Sequence, residues 1–485
     1  MVCESKNVKS FLKKTLLAIV FGLIVMPVYA SGPDTLWTRI YGGDEWDWGN
    51  CIQECSGTGG YIVTGGTWSF GVGKSDVYLV RTNSSGDSVW AKNYGWTDYE
   101  EGRCVQKCGG GYIIAGEIGS LSTDVLLLKV NEDGDSSWAV TFGGSQSEFG
   151  RSIQVCNDGS FIIAGYTNSF GAGKNDVYVI KANSFGDTIW TRTFGGAEDD
   201  YGYSIAKCAD GNFVIAGSSR VTTYDDVYLI KISSSGDTVW TRTFGKSNND
   251  CAYDVKQCGD GGFILTGYTK TGSEKVYLIK TNSTGDTLWT RIYGKTGDDR
   301  GYSVRECSDN GFVISGYTST LGGTWEDVYV IKTNSTGDTL WTRTFGKNGD
   351  DRGNSIVQCS DNGYVVAGVG EYFTSGQTDM YIIRMGSVGI KEIDKSISNN
   401  YVLYQNYPNP FSDGTVIEYK VPNKSNVAIK VYSLAGKLIK TILNGEVAAG
   451  SHTVSLDKRD MKSGIYFYSL EVGNYKETRK LTVLK

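Results

Sequence analysis

The sequence predicts an all-β protein: a seven-bladed β-propeller closed by its N-terminal strand, then a C-terminal immunoglobulin-like β-sandwich. Three observations carry this. A Trp-centred text recurs at Trp37, Trp90, Trp138, Trp190, Trp240, Trp289 and Trp341, spaced 48 to 53 residues apart. Four strand-like segments fill each period, and no amphipathic helix pattern interrupts them. All five prolines (Pro27, Pro33, Pro408, Pro410, Pro422) lie outside residues 34–400. That absence is expected where interior strands must all donate backbone N–H groups.

In chain order, residues 1–30 read as a secretory signal peptide. Lys6, Lys9, Lys13 and Lys14 precede an apolar run from Leu16 to Val28, and Val28-Tyr29-Ala30 suits cleavage after Ala30. The run is too short for a comfortable membrane span, and no other segment approaches about 20 apolar residues. The mature chain is expected to be exported, with no transmembrane segment. Residues 31–388 hold the propeller. They open with a lone Trp strand, DTLWTRIYG (34–42), and close on DMYIIRM (379–385) with no Trp strand after it. The first strand is therefore expected to complete the last blade and remove a free sheet edge.

Within each repeat, turns such as CNDGS, CGDGG and NSTGD supply Asp, Asn and Gly where a tight hairpin needs positive φ. They account for much of the glycine, 65 of 485 residues. Runs such as FIIAG and VYVIK suit strands covered on both faces. The seven repeat Trps are expected to pack blade against blade. Seven cysteines (Cys55, Cys108, Cys156, Cys208, Cys258, Cys307, Cys359) also recur, each ending the first strand of its blade. They read as buried free thiols acting as small apolar residues. Cys51 and Cys104 share a register on adjacent blades and are the best-placed pair for a disulfide. The text IKTNSTGDTLW resembles the tryptophan-docking repeat of quinoprotein-type propellers. The repeats from 34 to 388 are also similar to secreted bacterial and archaeal propeller repeats. These resemblances imply a propeller and assign no function.

Residues 389–400 read as a linker, and the text then changes. Alternating segments such as VAIKVYS, GKLIKTI and GIYFYSLEV predict about seven short strands in residues 401–485, a sandwich of immunoglobulin type. The elements QNYPNPF (405–411), VYSLAGKLI (431–439), AGSHTVSLD (449–457), SGIYFYSLE (463–471) and TRKLTVLK (478–485) resemble the C-terminal sorting domain of type IX secretion cargo, also described as FlgD-like. The resemblance implies outer-membrane translocation, a secretion-machinery partner, and delivery to the cell surface or medium. His452, the only histidine, falls in this module and reads as a surface or packing residue.

Charge and composition narrow the function. The net charge is −6; the signal contributes +3 and residues 401–485 contribute +5, leaving −14 on residues 31–400. An acidic body is a poor nucleic-acid binder. Without histidine there is no Ser-His-Asp or Cys-His machine in the propeller and no His-ligated metal site. Function is expected on the face that carries the variable loops. The five tryptophans outside the repeat, Trp46, Trp48, Trp68, Trp96 and Trp325, all lie in those loops, beside Asp44, Asp47, Asp98 and many other carboxylates. Three readings stand. The group binds a glycan through ring stacking and hydroxyl hydrogen bonds; the acids cap loops and the Trps cover blade ends; or the acids hold a divalent cation such as calcium. No cofactor, metal motif or catalytic residue is expected. The leading class is a non-catalytic exported scaffold binding a glycan or protein. The alternative is a carbohydrate-active enzyme of glycoside hydrolase type using two loop carboxylates.

Overall fold

The computed structural model describes residues 32–387 and 401–484, apart from positions 56, 58, 97, 221–222, 246–247, 295, 320–324, 347–348, 372–376, 405, 434–436 and 474. The expected signal peptide (1–30) and linker (389–400) lie outside the described residues. No α-helix occurs among the described residues.

The described residues of 35–385 form seven four-stranded antiparallel sheets. Six use four consecutive strands; the first is built from Asp47–Glu54, Tyr61–Thr67, Asp76–Thr82 and Ser88–Tyr94. The remaining sheet joins Arg352–Gln358, Tyr364–Glu371 and Thr378–Met385 to Thr35–Tyr41 from the opposite end of the region. Tyr41 stands opposite Met380, and Thr35 opposite Met385. Consecutive meandering sheets of this kind make a β-propeller.

Burial follows strand position. In the first sheet every residue of Tyr61–Thr67 and Asp76–Thr82 is buried, whereas Ser88–Tyr94 alternates between exposed and half-buried. The two middle strands are covered on both faces by neighbouring sheets, so their text is continuously apolar. The outermost strand has a solvent edge and reads as an alternation.

The repeat Trp sits on that outermost strand and packs on an aromatic ring that opens the second strand of the next sheet. Ring centroids are 5.9 Å apart for Trp37–Tyr61 and Trp240–Phe263, 5.8 Å for Trp289–Phe312 and 5.7 Å for Trp341–Tyr364. A turn glycine of the next sheet lies against six of the seven Trps, and Gly32, just before the first strand, lies against Trp341. Gly86, at φ 80°, leaves only 2.8 Å between a would-be Cβ and the Trp37 ring. Glycine there meets two needs at once, a left-handed backbone and a close approach. The seven repeat cysteines are buried and free.

The C-terminal module has a three-stranded sheet (Val402–Leu403, Gly414–Val421, Gly450–Asp457) and a four-stranded sheet (Leu438–Val447, Ser425–Ser433, Gly464–Val472, Tyr475–Val483). They share one core, with Ile417 and Tyr419 from the first and Ile429, Val431, Tyr468 and Leu470 from the second. His452 hydrogen-bonds the Ala448 carbonyl at 2.8 Å and packs on Tyr419.

Two outcomes follow from this packing. Trp240→Ala should cost about 3 kcal/mol, read as a lower denaturation midpoint. Deleting residues 31–43 should bare the edge of Thr378–Met385, lowering the melting temperature and replacing monomer with associated species in size-exclusion chromatography.

Candidate functional site

The innermost strand of every sheet carries one irregularity. In the first sheet Gly49 pairs with Gly65 and Cys51 with Thr64, so Asn50 has no partner. The same skip falls at Arg103, Arg151, Tyr203, Tyr253, Tyr302 and Asn354. A bulge breaks strict alternation and re-aims side chains. Here it lets two successive residues, such as Asn50 and Cys51, face the same axial space.

That space has two chambers. The upper one is a cavity of about 660 Å³ lined by Trp46, Trp48, Trp68, Tyr99, Glu101 and the bulge residues, with Asp350, Arg352 and Glu371 among its other walls. Trp46 and Trp68 stack on each other with centroids 5.8 Å apart and planes inclined 26°. Trp46 also donates its indole N–H to Gln377. Trp48 is accommodated because position 66 is glycine; a Cβ there would lie 2.3 Å from the indole. Further round the axis runs an arc of tyrosines. Tyr203–Tyr253 and Tyr253–Tyr302 centroids are 5.3 and 5.2 Å apart, and Tyr201 stacks on Tyr203 at 6.0 Å. Arginines interleave: Arg151 over Tyr166 at 5.3 Å, Arg300 over Tyr268 at 4.8 Å, Arg352 over Tyr317 at 5.6 Å.

Glu101 organises the tryptophan side. It accepts hydrogen bonds from Trp48 Nε1 at 2.6 Å, Asn50 Nδ2 at 2.7 Å and Tyr99 Oη at 2.5 Å, and pairs with Arg103 at 2.8 Å. Burial alone would raise its carboxyl; the Arg103 charge and these hydrogen bonds outweigh burial and hold it below its ordinary value. Glu117, 2.6 Å from Arg103, completes the cluster.

The lower chamber, about 490 Å³, is lined by Arg103, Arg151, Lys256 and Arg305 against Glu54 and Asp254. It is a cationic pocket inside an acidic body. Asp254 pairs with Lys256 at 2.6 Å and Arg305 at 2.7 Å, and also accepts from Ser204 Oγ and Val304 N. Burial opposes its ionisation, but the two cations outweigh burial and bring the carboxyl to about 2. Cys51 and Cys104 line the same chamber, free, with Sγ atoms 3.8 Å apart.

The expected site residues divide. Trp46, Trp48 and Trp68 meet at the upper cavity, whereas Trp96, Trp325, Asp44 and Asp98 are not among its lining residues. Asp47 is fully buried; its Oδ2 accepts from Gly43 N at 2.8 Å and Ser69 Oγ at 2.6 Å, the loop-capping role. Sequence reasoning missed the axial ring. Its signal was present: the residue after the inner-strand glycine in GNCIQEC, GRCVQKC, GRSIQVC, GYSIAKC, GYSVREC and GNSIVQC, and after Ala252 in AYDVKQC, varies between polar and aromatic.

Comparison with known proteins adds one firm point. Residues 405–484 match the family described as "Secretion system C-terminal sorting domain". The C-terminal module carries a type IX secretion sorting signal. This sorting domain covers a minor part of the chain. No curated protein matches the chain. Among solved structures, it is similar to PorZ, an essential bacterial surface component of the type-IX secretion system of Porphyromonas gingivalis. That likeness has 12% identity and TM-score 0.35, over 84% of this chain and 64% of that one. The chain thus spans less than two thirds of PorZ. It is also similar to YCF48 bound to D1 peptide (10% identity, TM-score 0.44, 75% of this chain and 100% of that one). A third likeness is to the periplasmic gluconolactonase PpgL of Pseudomonas aeruginosa (10% identity, TM-score 0.43, 81% and 98%). Likenesses this distant carry nothing about activity.

The lower chamber generates two expectations. Asp254 is depressed in the fold, so its stabilisation is present above the ordinary carboxylate range, ~4, and is lost as pH falls through that range toward about 2. Asp254→Asn should therefore cost about 2 kcal/mol near neutral pH, a deficit that shrinks in urea melts below about pH 4. In the reduced native chain, a maleimide should modify half-exposed Cys51 and Cys104 before the other eight described cysteines, which are buried; peptide mapping reads this directly.

Proposed function

We propose that the protein is an exported, non-catalytic binding scaffold, organised as a signal peptide (1–30), a closed seven-bladed propeller (31–388), a linker (389–400) and a sorting domain (401–485). Its upper axial cavity takes a glycan, and the sorting domain delivers it to the cell surface or medium. One observation carries the ligand class: the stacked Trp46–Trp68 pair at the cavity, with the tyrosine arc among its other walls. Sugar rings present flat C–H faces that lie on aromatic platforms, while their hydroxyls need polar groups placed nearby. Arg103, Asn50, Asn354 and Asp350 supply those groups. A protein ligand would use the same aromatic and arginine lining.

The carboxylates favour binding over glycoside hydrolysis. Hydrolysis needs one acid kept protonated near neutral pH to donate to the leaving oxygen. Glu101, the most enclosed acid of the cavity, is held in the opposite direction by Arg103.

A polysaccharide panel tests the reading on the mature chain. Binding by calorimetry is expected without release of reducing ends. Trp46→Ala and Trp68→Ala should each weaken it at least about tenfold, or 1.4 kcal/mol. Turnover abolished by a single Asp→Asn or Glu→Gln change in the cavity would replace the scaffold with the enzyme.

A further inference from the structure

Each sheet junction repeats one buried feature. An acid near the start of an inner strand faces a residue near the start of the third strand of the preceding sheet. At six of the seven junctions that residue is also an acid. Asp176 Oδ1 and Asp200 Oδ2 lie 2.3 and 2.6 Å from the point where a Cβ on Gly195 would fall. Asp327 Oδ1 and Asp351 Oδ2 lie 2.0 and 2.7 Å from the same point on Gly346. Two carboxylates thus crowd one glycine at five of the six acid–acid junctions; at the sixth, Asp76 alone crowds Gly95.

Like charges in a buried site repel strongly; backbone N–H donors such as Gly196 N, 2.7 Å from Asp200 Oδ2, offset part of this, and a cation or a proton relieves the rest. The Asp76–Glu100 junction shows the problem most clearly. The two residues are 1% and 0% exposed. Asp76 Oδ1 and Glu100 Oε1 are both buried without a protein donor. Burial first, and then the Asp76 charge, raise the Glu100 carboxyl. Asp327 Oδ2 is likewise buried without a protein donor.

The seventh junction shows what relieves it. There the third-strand residue is Lys275, buried, with its ammonium 3.0 Å from Asp299 Oδ2 and 3.0 Å from the Glu274 carbonyl, and in contact with the Gly297 carbonyl. One carboxylate and two backbone carbonyls around a positive charge are the ligand types a hard cation takes. We propose that the six acid–acid junctions are divalent-cation sites, each holding one calcium-sized ion where Lys275 places its ammonium at the seventh. No described junction gathers three or more His, Cys, Asp or Glu side chains. Two carboxylates therefore supply the charge, and backbone carbonyls and water complete the shell. Cations so placed would offset much of the −14 carried by residues 31–400.

The test uses the full mature chain stripped with a chelator. Calcium titrated in a calorimeter should give saturable heat with several ions per chain, and calcium should raise the melting temperature. The double change Asp76→Asn/Glu100→Gln should lower the bound count by one, and Lys275→Asp should raise it by one. The wild-type titration stands even if a variant fails to fold. Absence of heat, with melting indifferent to calcium and magnesium, overturns the proposal. So does a melting temperature that ignores calcium yet climbs as pH is lowered from neutral, which would assign the relief to a shared proton. An unchanged ion count in both folded variants also overturns it.

Discussion

Every sheet of the propeller depends on its neighbours for cover. A four-stranded sheet with two fully apolar middle strands cannot stand in water, and here both of its faces are buried only by the adjacent sheets. The Trp of one sheet, the aromatic that opens the second strand of the next, and the turn glycine beneath form the contact that sets the spacing. The contact recurs with centroid distances of 5.7 to 6.3 Å at Trp37, Trp90, Trp138, Trp240, Trp289 and Trp341, so the sheets stack at similar intervals. Thr35–Tyr41 then reaches the sheet at the far end of the repeat region and pairs with its open strand.

That regular frame is what makes an irregular axis affordable. The bulge after the inner-strand glycine, or after Ala252 in one sheet, breaks the pairing at one residue per sheet. The side chain released is free of packing duty, so it varies: Asn50, Arg103 and Arg151 on three sheets, Tyr203, Tyr253 and Tyr302 on the next three. The result is an axial lining with distinct sides on a nearly uniform scaffold. In the Glu101 cluster, Arg103 pairs with Glu101 on its own strand and with Glu117 on the adjoining one; in the Asp254 cluster, Lys256 from the same strand is joined by Arg305 from the next inner strand.

Much of the fold was legible because it is written in repeated local text. Turn chemistry in NSTGD and CGDGG, continuous apolar runs in the middle strands, and the spacing of seven Trps each report on local backbone needs. The sorting domain was legible for a different reason: its motifs, such as SGIYFYSLE, are specific as text. The candidate site was legible only in part. Trp46, Trp48 and Trp68 stood out as tryptophans outside the repeat. Asp47 did not distinguish itself from exposed loop acids, because nothing in a sequence tells a carboxylate that binds its own loop from one that faces solvent.

By itself the sequence determined the strand count per repeat, the turns, the apolar faces and the sorting signal, since these follow from interactions between residues close in the chain. Only the tertiary structure decided which side chains meet. Asn50, Arg103, Arg151, Tyr203, Tyr253, Tyr302 and Asn354 lie about one repeat apart in sequence, yet bulges turn them toward one axis. Asp76 and Glu100, on neighbouring sheets, become a buried pair, and Cys51 and Cys104 become neighbours with Sγ atoms 3.8 Å apart. Contacts between sheets depend on where each inner strand sits around the axis, and that placement is a property of the assembled ring of side chains rather than of any one repeat.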